Sequence, residues 1–216
     1  MKRNLFIILA GLFLFFAGCK KDTGNQPSSA DSYFPTTAGS SWRYFDIVQD
    51  GTKDTIIVKM TNQTAIFNGK TYTAATTMSR QSGAGTEYFY AANHLFALRA
   101  LNAYAGTTVE FKMFNDTAAV GSSLISSPTD DGLVDGVPAR TVNTIVAKNL
   151  TRTIGGKTYT NVIHTEVDFQ YDYSGGYSTG FTYDFYLAKG IGVIESQFTI
   201  LGSLYEEQFL IDDTIK

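Results

Sequence analysis

The segment Gly69-Lys70-Thr71-Tyr72-Thr73 returns as Gly156-Lys157-Thr158-Tyr159-Thr160, and Gly-Lys-Thr is how a phosphate-binding loop ends. Such a loop needs Gly-x-x-x-x-Gly-Lys-Thr between a strand and a helix, so that backbone amides and the positive helix end converge on phosphate. Thr64 and Thr151 stand where the leading glycine belongs. The residues after each lysine, Thr71 to Thr77 and Thr158 to Ile163, have strand rather than helix character. Asn68-Gly69 and Gly155-Gly156 are dipeptides that accept positive φ at the centre of a type I′ turn. Both segments therefore predict hairpin corners and no nucleotide site.

Other reactive constellations are weaker. His164, Glu166 and Asp168 share one face of an alternating segment, the best metal-ligand pattern in the chain. Alternate residues on a strand are about 6–7 Å apart, so the three reach a single ion poorly and predict a solvated polar face. Asp130-Asp131-Gly132-Leu133-Val134-Asp135-Gly136 has the composition of a calcium loop without its alternating ligands or closing Glu, and predicts an acidic turn. His94 falls in a stretch matching Gly190 and predicts a loop position. No serine, histidine and acid are spaced as a recognisable nucleophilic site. A carboxylate pair of hydrolase type leaves no sequence signature and stays open as an alternative. Among 13 tyrosines, Tyr171, Tyr173 and Tyr177 crowd one insertion, where exposed rings are candidate contacts for a sugar or a protein.

The elements that must position these groups are β-strands. From Ser41 onward, short β-branched and aromatic runs alternate with Gly, Asn, Asp and Ser. Phe181, Tyr183, Phe185 and Leu187 share one face; Ile163, Thr165, Val167, Phe169 and Tyr171 share another, as half-buried antiparallel strands do. The pentapeptide repeat belongs to a longer series of echoes. Asn62 and Thr64 return as Asn149 and Thr151, Phe89-Tyr90-Ala91-Ala92 as Phe185-Tyr186-Leu187-Ala188, and Asn115-Asp116-Thr117 as Asp212-Asp213-Thr214. Thr37-Ala38-Gly39-Ser40-Ser41-Trp42 is echoed by Ala119-Val120-Gly121-Ser122-Ser123-Leu124 in the same order. The mature chain is read as a tandem duplication, unit one at 33–114 and unit two at 115–216.

The N-terminus sets the compartment. Lys2 and Arg3 precede an apolar run, Leu5 to Phe16, which small residues close at Ala17-Gly18-Cys19. The run is shorter than the about 20 residues of a spanning helix, so 1–18 reads as a signal peptide. Cys19 is the only cysteine, which excludes an intramolecular disulfide. Its place after Ala17-Gly18 resembles the lipobox of bacterial lipoproteins. That resemblance implies acylation at Cys19, cleavage before it and membrane attachment through lipid, the polar residues 19–32 serving as a flexible tether. A net charge of −3 with no basic run argues against nucleic acid as a partner.

Tyr33-Phe34-Pro35, then Gly39 and Trp42-Arg43-Tyr44, resembles the opening of uncharacterised Bacteroidetes-type secreted lipoproteins, and Ala188-Lys189-Gly190-Ile191-Gly192-Val193-Ile194 resembles their closing segment. Asp54-Thr55-Ile56, Asp116-Thr117-Ala118 and Asp213-Thr214-Ile215 resemble the O-glycosylation motif of exported proteins of that type. The resemblance implies a β-rich domain in the cell envelope at the outer membrane, on either its periplasmic or its surface leaflet. The expected protein is all-β and antiparallel, its two units packed as one pseudo-symmetric barrel-like or sandwich domain. The expected role is a binding or structural module with a glycan or protein partner, not an enzyme, needing no metal or other cofactor and no nucleotide. A carrier of an apolar ligand, a lipid or acyl chain held in the curved sheet, is the second reading.

Overall fold

A computed structural model describes residues 28–216 except residue 103. The signal segment 1–18, the lipid-attachment candidate Cys19 and residues 19–27 lie outside the described residues. The first packed element is a 3₁₀ turn at Ser29–Asp31. Ser32 is buried, and its carbonyl accepts the Gly190 N–H at 2.8 Å. The last residues read as tether, 28–32, are thus held against the fold, because their backbone finds partners there.

Six strands then run as a meander: β1 (Ser41–Val48), β2 (Lys53–Phe67), β3 (Lys70–Ser79), β4 (Gly83–Ala92), β5 (Leu95–Asn102) and β6 (Thr107–Asn115). The rest of the chain gives β7 (Ser123–Ser126), a short β8 (Leu133–Val134), β9 (Val137–Ile154), β10 (Lys157–Asp172), β11 (Tyr177–Ala188), β12 (Gly192–Ile200) and β13 (Ser203–Thr214). All pairings are antiparallel, in the order β6-β5-β4-β3-β2-β1-β13-β12-β11-β10-β9-β7, with β8 paired to β9. The fold is all-β, a sheet curled into a nearly closed barrel.

Closure fails along one seam. β1 and β13 pair along the whole of β1, whereas β6 and β7 share no ladder. At the seam the Asn143 amide donates to the Lys112 carbonyl, the Thr165 hydroxyl donates to the Met113 carbonyl at 2.9 Å, and the Glu110 N–H donates to the Pro128 carbonyl at 2.7 Å. Side chains and a loop satisfy the edge that a neighbouring strand would otherwise cover.

The echoed segments lie at matching points of the meander. One GKTYT follows the β2–β3 turn and the other the β9–β10 turn, and the two Phe-Tyr-x-Ala segments end β4 and β11. Both turns have the left-handed conformation that a type I′ hairpin requires, with φ of 49° and 75° at Asn68-Gly69 and of 56° and 81° at Gly155-Gly156.

The predicted inward faces are inward. Ile163, Thr165, Val167 and Phe169 are buried, as are Phe181, Phe185 and Leu187. Stacked rings join neighbouring strands, with centroids 4.5 Å apart for Phe169–Phe181 and 4.6 Å for Tyr183–Phe198. Each such pair adds about 0.5–1.5 kcal/mol beyond the area it buries.

The opening and closing motifs meet in space. Trp42 Nε1 donates to the Ile191 carbonyl at 2.6 Å, and the Tyr44 hydroxyl donates to the Val193 carbonyl at 3.0 Å. Gly192 has φ of 108°, and a Cβ there would sit 3.4 Å from Trp42 Nε1. Gly192→Ala is therefore expected to destabilise the protein by more than about 1 kcal/mol and to shift the emission of Trp42, the sole tryptophan. An unchanged urea midpoint with an unchanged spectrum would refute this.

Candidate functional site

The residues that sequence singled out separate into different environments. Lys157 of the second GKTYT pairs with Asp213 at 2.6 Å, and Lys70 of the first lies over the Tyr90 ring at 5.4 Å. Both lysines are committed to the barrel wall. His164 Nε2 contacts Asp184 Oδ1 at 2.6 Å, and its ring stacks on Tyr186 at 4.3 Å. Asp168 instead accepts the Thr182 hydroxyl at 2.7 Å, while burial and the charges of Asp168 and Asp184 hold the Glu166 carboxyl above its usual range. His164 and Asp168 have separate partners, and no three metal-ligating side chains converge among the described residues. His94 sits in the β4–β5 turn and contacts Asp116 at 2.7 Å.

The Asp130–Gly136 segment is an acidic turn. Asp130 takes a two-pronged bond from Arg99, at 2.9 and 3.2 Å, and Asp131 accepts the Leu133 N–H at 3.0 Å. These donors hold both carboxyls below the ordinary value, the Arg99 guanidinium being the main cause for Asp130.

The three tyrosines do not form one platform. Tyr171 packs on Phe169 at 5.2 Å, and burial pushes its hydroxyl up to about 12. Tyr173 stacks on it at 5.8 Å and is 69% exposed. Tyr177 pairs in register with Asp172, one residue out of phase with Tyr171, so it lies on the outer face, where Arg140 covers its ring at 4.1 Å.

Sequence reasoning did not find the cavity inside the barrel. Its volume is about 150 Å³. Trp42 and Tyr44 from β1, Ile56 and Val58 from β2, and Phe89 and Leu98 from β4 and β5 form one side. Phe185, Gly192 and Val193 form the other, and Phe34-Pro35 of the N-terminal segment completes the wall. Three polar side chains enter this apolar lining: Glu87 of β4, Ser196 of β12 and Gln208 of β13.

Glu87 is opposite fully buried Ala75, which fixes its direction as inward. Burial pushes its carboxyl up to about 7, and among the described residues it has no hydrogen bond or ion pair. The buried Tyr44 hydroxyl, which feels the Glu87 charge, is raised chiefly by desolvation. Among the described residues, no Lys, Arg or His lines the cavity.

Beyond Gln208 the lumen turns acidic. Gln208 Nε2 donates to Glu206, and Gln208 stands opposite Asp46 in the β1–β13 ladder. Asp46 is only 7% exposed, and its Oδ1 has no hydrogen-bond partner among the described residues. Burial first, then the charge and contact of Glu206, hold Asp46 well above the carboxylate range. Asp54, further along the same interior, stays below it because the Gln81, Thr55 and Arg80 N–H groups donate to it.

The antiparallel strands thus form a nearly closed barrel. In solved structures the same architecture occurs in an exported protein of YmcC-like fold from Bacteroides fragilis, at a TM-score of 0.53 and 10% identity over 85% of this chain and 99% of that one. It occurs also in a protein described as a lipoprotein from Parabacteroides distasonis, at 0.50 and 12% identity over 86% and 99%. At such identities the likeness shows the fold. No family model matches the chain, and no curated protein matches it in sequence.

Proposed function

We propose that this is a lipid-anchored cell-envelope protein that binds a small, mostly apolar ligand inside its barrel. The anchor and compartment rest on the signal segment and the lipobox-like Cys19, and the exported and lipoprotein neighbours of the same fold support them. Attachment at the outer membrane is part of this reading. The observation that carries the binding role is the roughly 150 Å³ cavity, apolar on nearly every side but with Glu87, Ser196 and Gln208 turned into it. A few polar groups in an apolar concavity are the usual form of a small-molecule site.

Size narrows the ligand. A cavity of about 150 Å³ accepts a group the size of benzene, whereas drug-sized ligands need about 300–1,000 Å³. A whole acyl chain does not fit, so the carrier reading holds for a compact ligand or for one compact end of a longer one.

The carboxylate-hydrolase alternative finds its nearest support in Asp46 and Glu206. Those two carboxyls are in direct contact, closer than the about 5 Å or more that glycosidase pairs keep for substrate, and Asp46 does not line the cavity. The contact-surface reading retains the exposed Tyr173 stacked on Tyr171, without Tyr177. The geometry favours the lumen.

Trp42 makes the test direct, because the only tryptophan is in the cavity wall. Titration of the purified protein with benzene-sized apolar probes is expected to change Trp42 emission saturably. Ser196→Phe, which fills the space, is expected to abolish that change while leaving the far-ultraviolet circular dichroism intact. Absence of any saturable response in the parent protein would sink the lumen site.

A further inference from the structure

Building on the lumen as the binding site, we propose that its ligand is a compact organic amine, bound as the ammonium ion with Glu87 as its counter-charge. The first argument is the charge inside the barrel. Among the described residues, Glu87 faces the cavity without hydrogen bond or ion pair, and no basic side chain lines the space. Elsewhere in the lumen, on β1, Asp46 presents an Oδ1 unpaired among the described residues while nine-tenths buried, with Glu206 beside it. A buried carboxylate without a partner is costly, and an arriving cation removes that cost. An anion would add repulsion; a neutral ligand would leave the charge unmatched.

The second argument is the wall. Phe34, Trp42, Tyr44, Phe89 and Phe185 put aromatic rings around the same space, and ring faces attract cations. The remaining polar groups, Ser196 and Gln208, each carry an acceptor oxygen for ammonium protons that Glu87 does not take. The third argument is volume, since about 150 Å³ holds one ring or one branched aliphatic group beside the ammonium. The class is therefore a primary or secondary amine carrying a single ring or short branched chain. Burial raises the empty-site Glu87 carboxyl to about 7, and an ammonium ion at hydrogen-bond distance draws it back to the ionised form.

Benzylamine, benzyl alcohol and benzoate carry one ring of one size and differ in charge. Titrated against the purified protein and read by Trp42 emission and calorimetry, benzylamine is expected to bind about tenfold or more tighter than benzyl alcohol, with benzoate weakest. Glu87→Gln is expected to bring benzylamine to the level of the alcohol while changing the alcohol by less than about twofold. Equal binding of amine and alcohol, or a preference that survives Glu87→Gln, overturns the amine assignment and leaves the lumen site standing. Failure of all three probes to bind overturns both. The ratio in the parent protein decides the matter even where Glu87→Gln does not fold.

Discussion

Phe34→Ala is expected to destabilise the protein by about 3–5 kcal/mol, although Phe34 lies outside every strand. The side chain is 3% exposed. Its ring meets Phe89 edge-on at 5.3 Å and Phe96 at 6.0 Å, and neighbouring Tyr33 meets Phe96 and Phe114 at 5.7 and 5.4 Å. These contacts bridge β4, β5 and β6, so the N-terminal segment acts as a plug inserted into one end of the barrel. Removing the ring leaves an open space beside an existing cavity, and a rigid β-barrel has little means of collapsing into it. The polar contacts of the same segment are worth far less. The Asp31–Lys189 pair, at 3.3 Å, is 69% and 40% exposed on its two sides, and Asp31→Ala is expected to leave the urea midpoint almost unchanged. Urea unfolding of both variants measures the contrast. If Phe34→Ala costs no more than Asp31→Ala, the segment is a tether lying on the barrel and not a part of its core. The N-terminal segment also closes one wall of the cavity proposed as the ligand site.

What could be read from sequence followed from local rules. Alternation gave the inward faces of β10 and β11, because a strand buried on one side leaves that pattern at Ile163 to Phe169 and Phe181 to Leu187. The hairpins at Asn68-Gly69 and Gly155-Gly156 were legible because few dipeptides tolerate two positive φ values in succession. The cavity was not legible, since its members come from seven strands and the N-terminal segment, and only closure of the sheet brings them together. Glu87 gave no local signal. It stands among Gly83, Ala84, Gly85 and Thr86, a stretch whose small and polar residues read as an exposed turn rather than as a barrel interior. Asp46 likewise reads as an ordinary acid near the end of β1. Sequence did not show that Tyr171 and Tyr177 face opposite ways, which is a matter of phase: the β10–β11 turn sets the register Asp172 to Tyr177 and so sends Tyr177 to the other face. The opening and closing motifs, by contrast, are far apart in the chain and close in space. Trp42 on Ile191, Tyr44 on Val193 and Gly192 under Trp42 give them a shared structural reason.

Asp46→Asn is expected to raise stability at pH 8 and to flatten its dependence on pH between about 4 and 7. Burial, and then the charge of Glu206, raise the folded-state pKa of Asp46 far above its ordinary value near 4, and burial alone does the same for Glu87. For such groups the folded state holds its proton longer than the unfolded chain does. Their contribution is fully present below the unfolded pKa and is lost as pH rises through the folded one, by about 1.4 kcal/mol per pH unit for each proton concerned. Asp50, Asp54 and Asp131 work in the other direction. Hydrogen bonds lower their pKa values, so what they contribute is present above about pH 4 and lost only as pH falls below it. The two windows do not overlap, which predicts a stability maximum near pH 4–5 and a decline toward pH 8. The groups facing Asp46 are Glu206 and Gln208 on β13 and Asp54 on β2. Asn keeps the size of Asp and can donate to the Glu206 carboxylate, so the substitution removes repulsion without opening space. Urea unfolding of both proteins at pH 5, 6, 7 and 8 measures the effect. A parent protein that gains stability across this range, or an Asp46→Asn variant less stable than the parent at pH 8, would show that the interior acids are solvated and would remove the unmatched charge on which recognition of a cationic ligand depends.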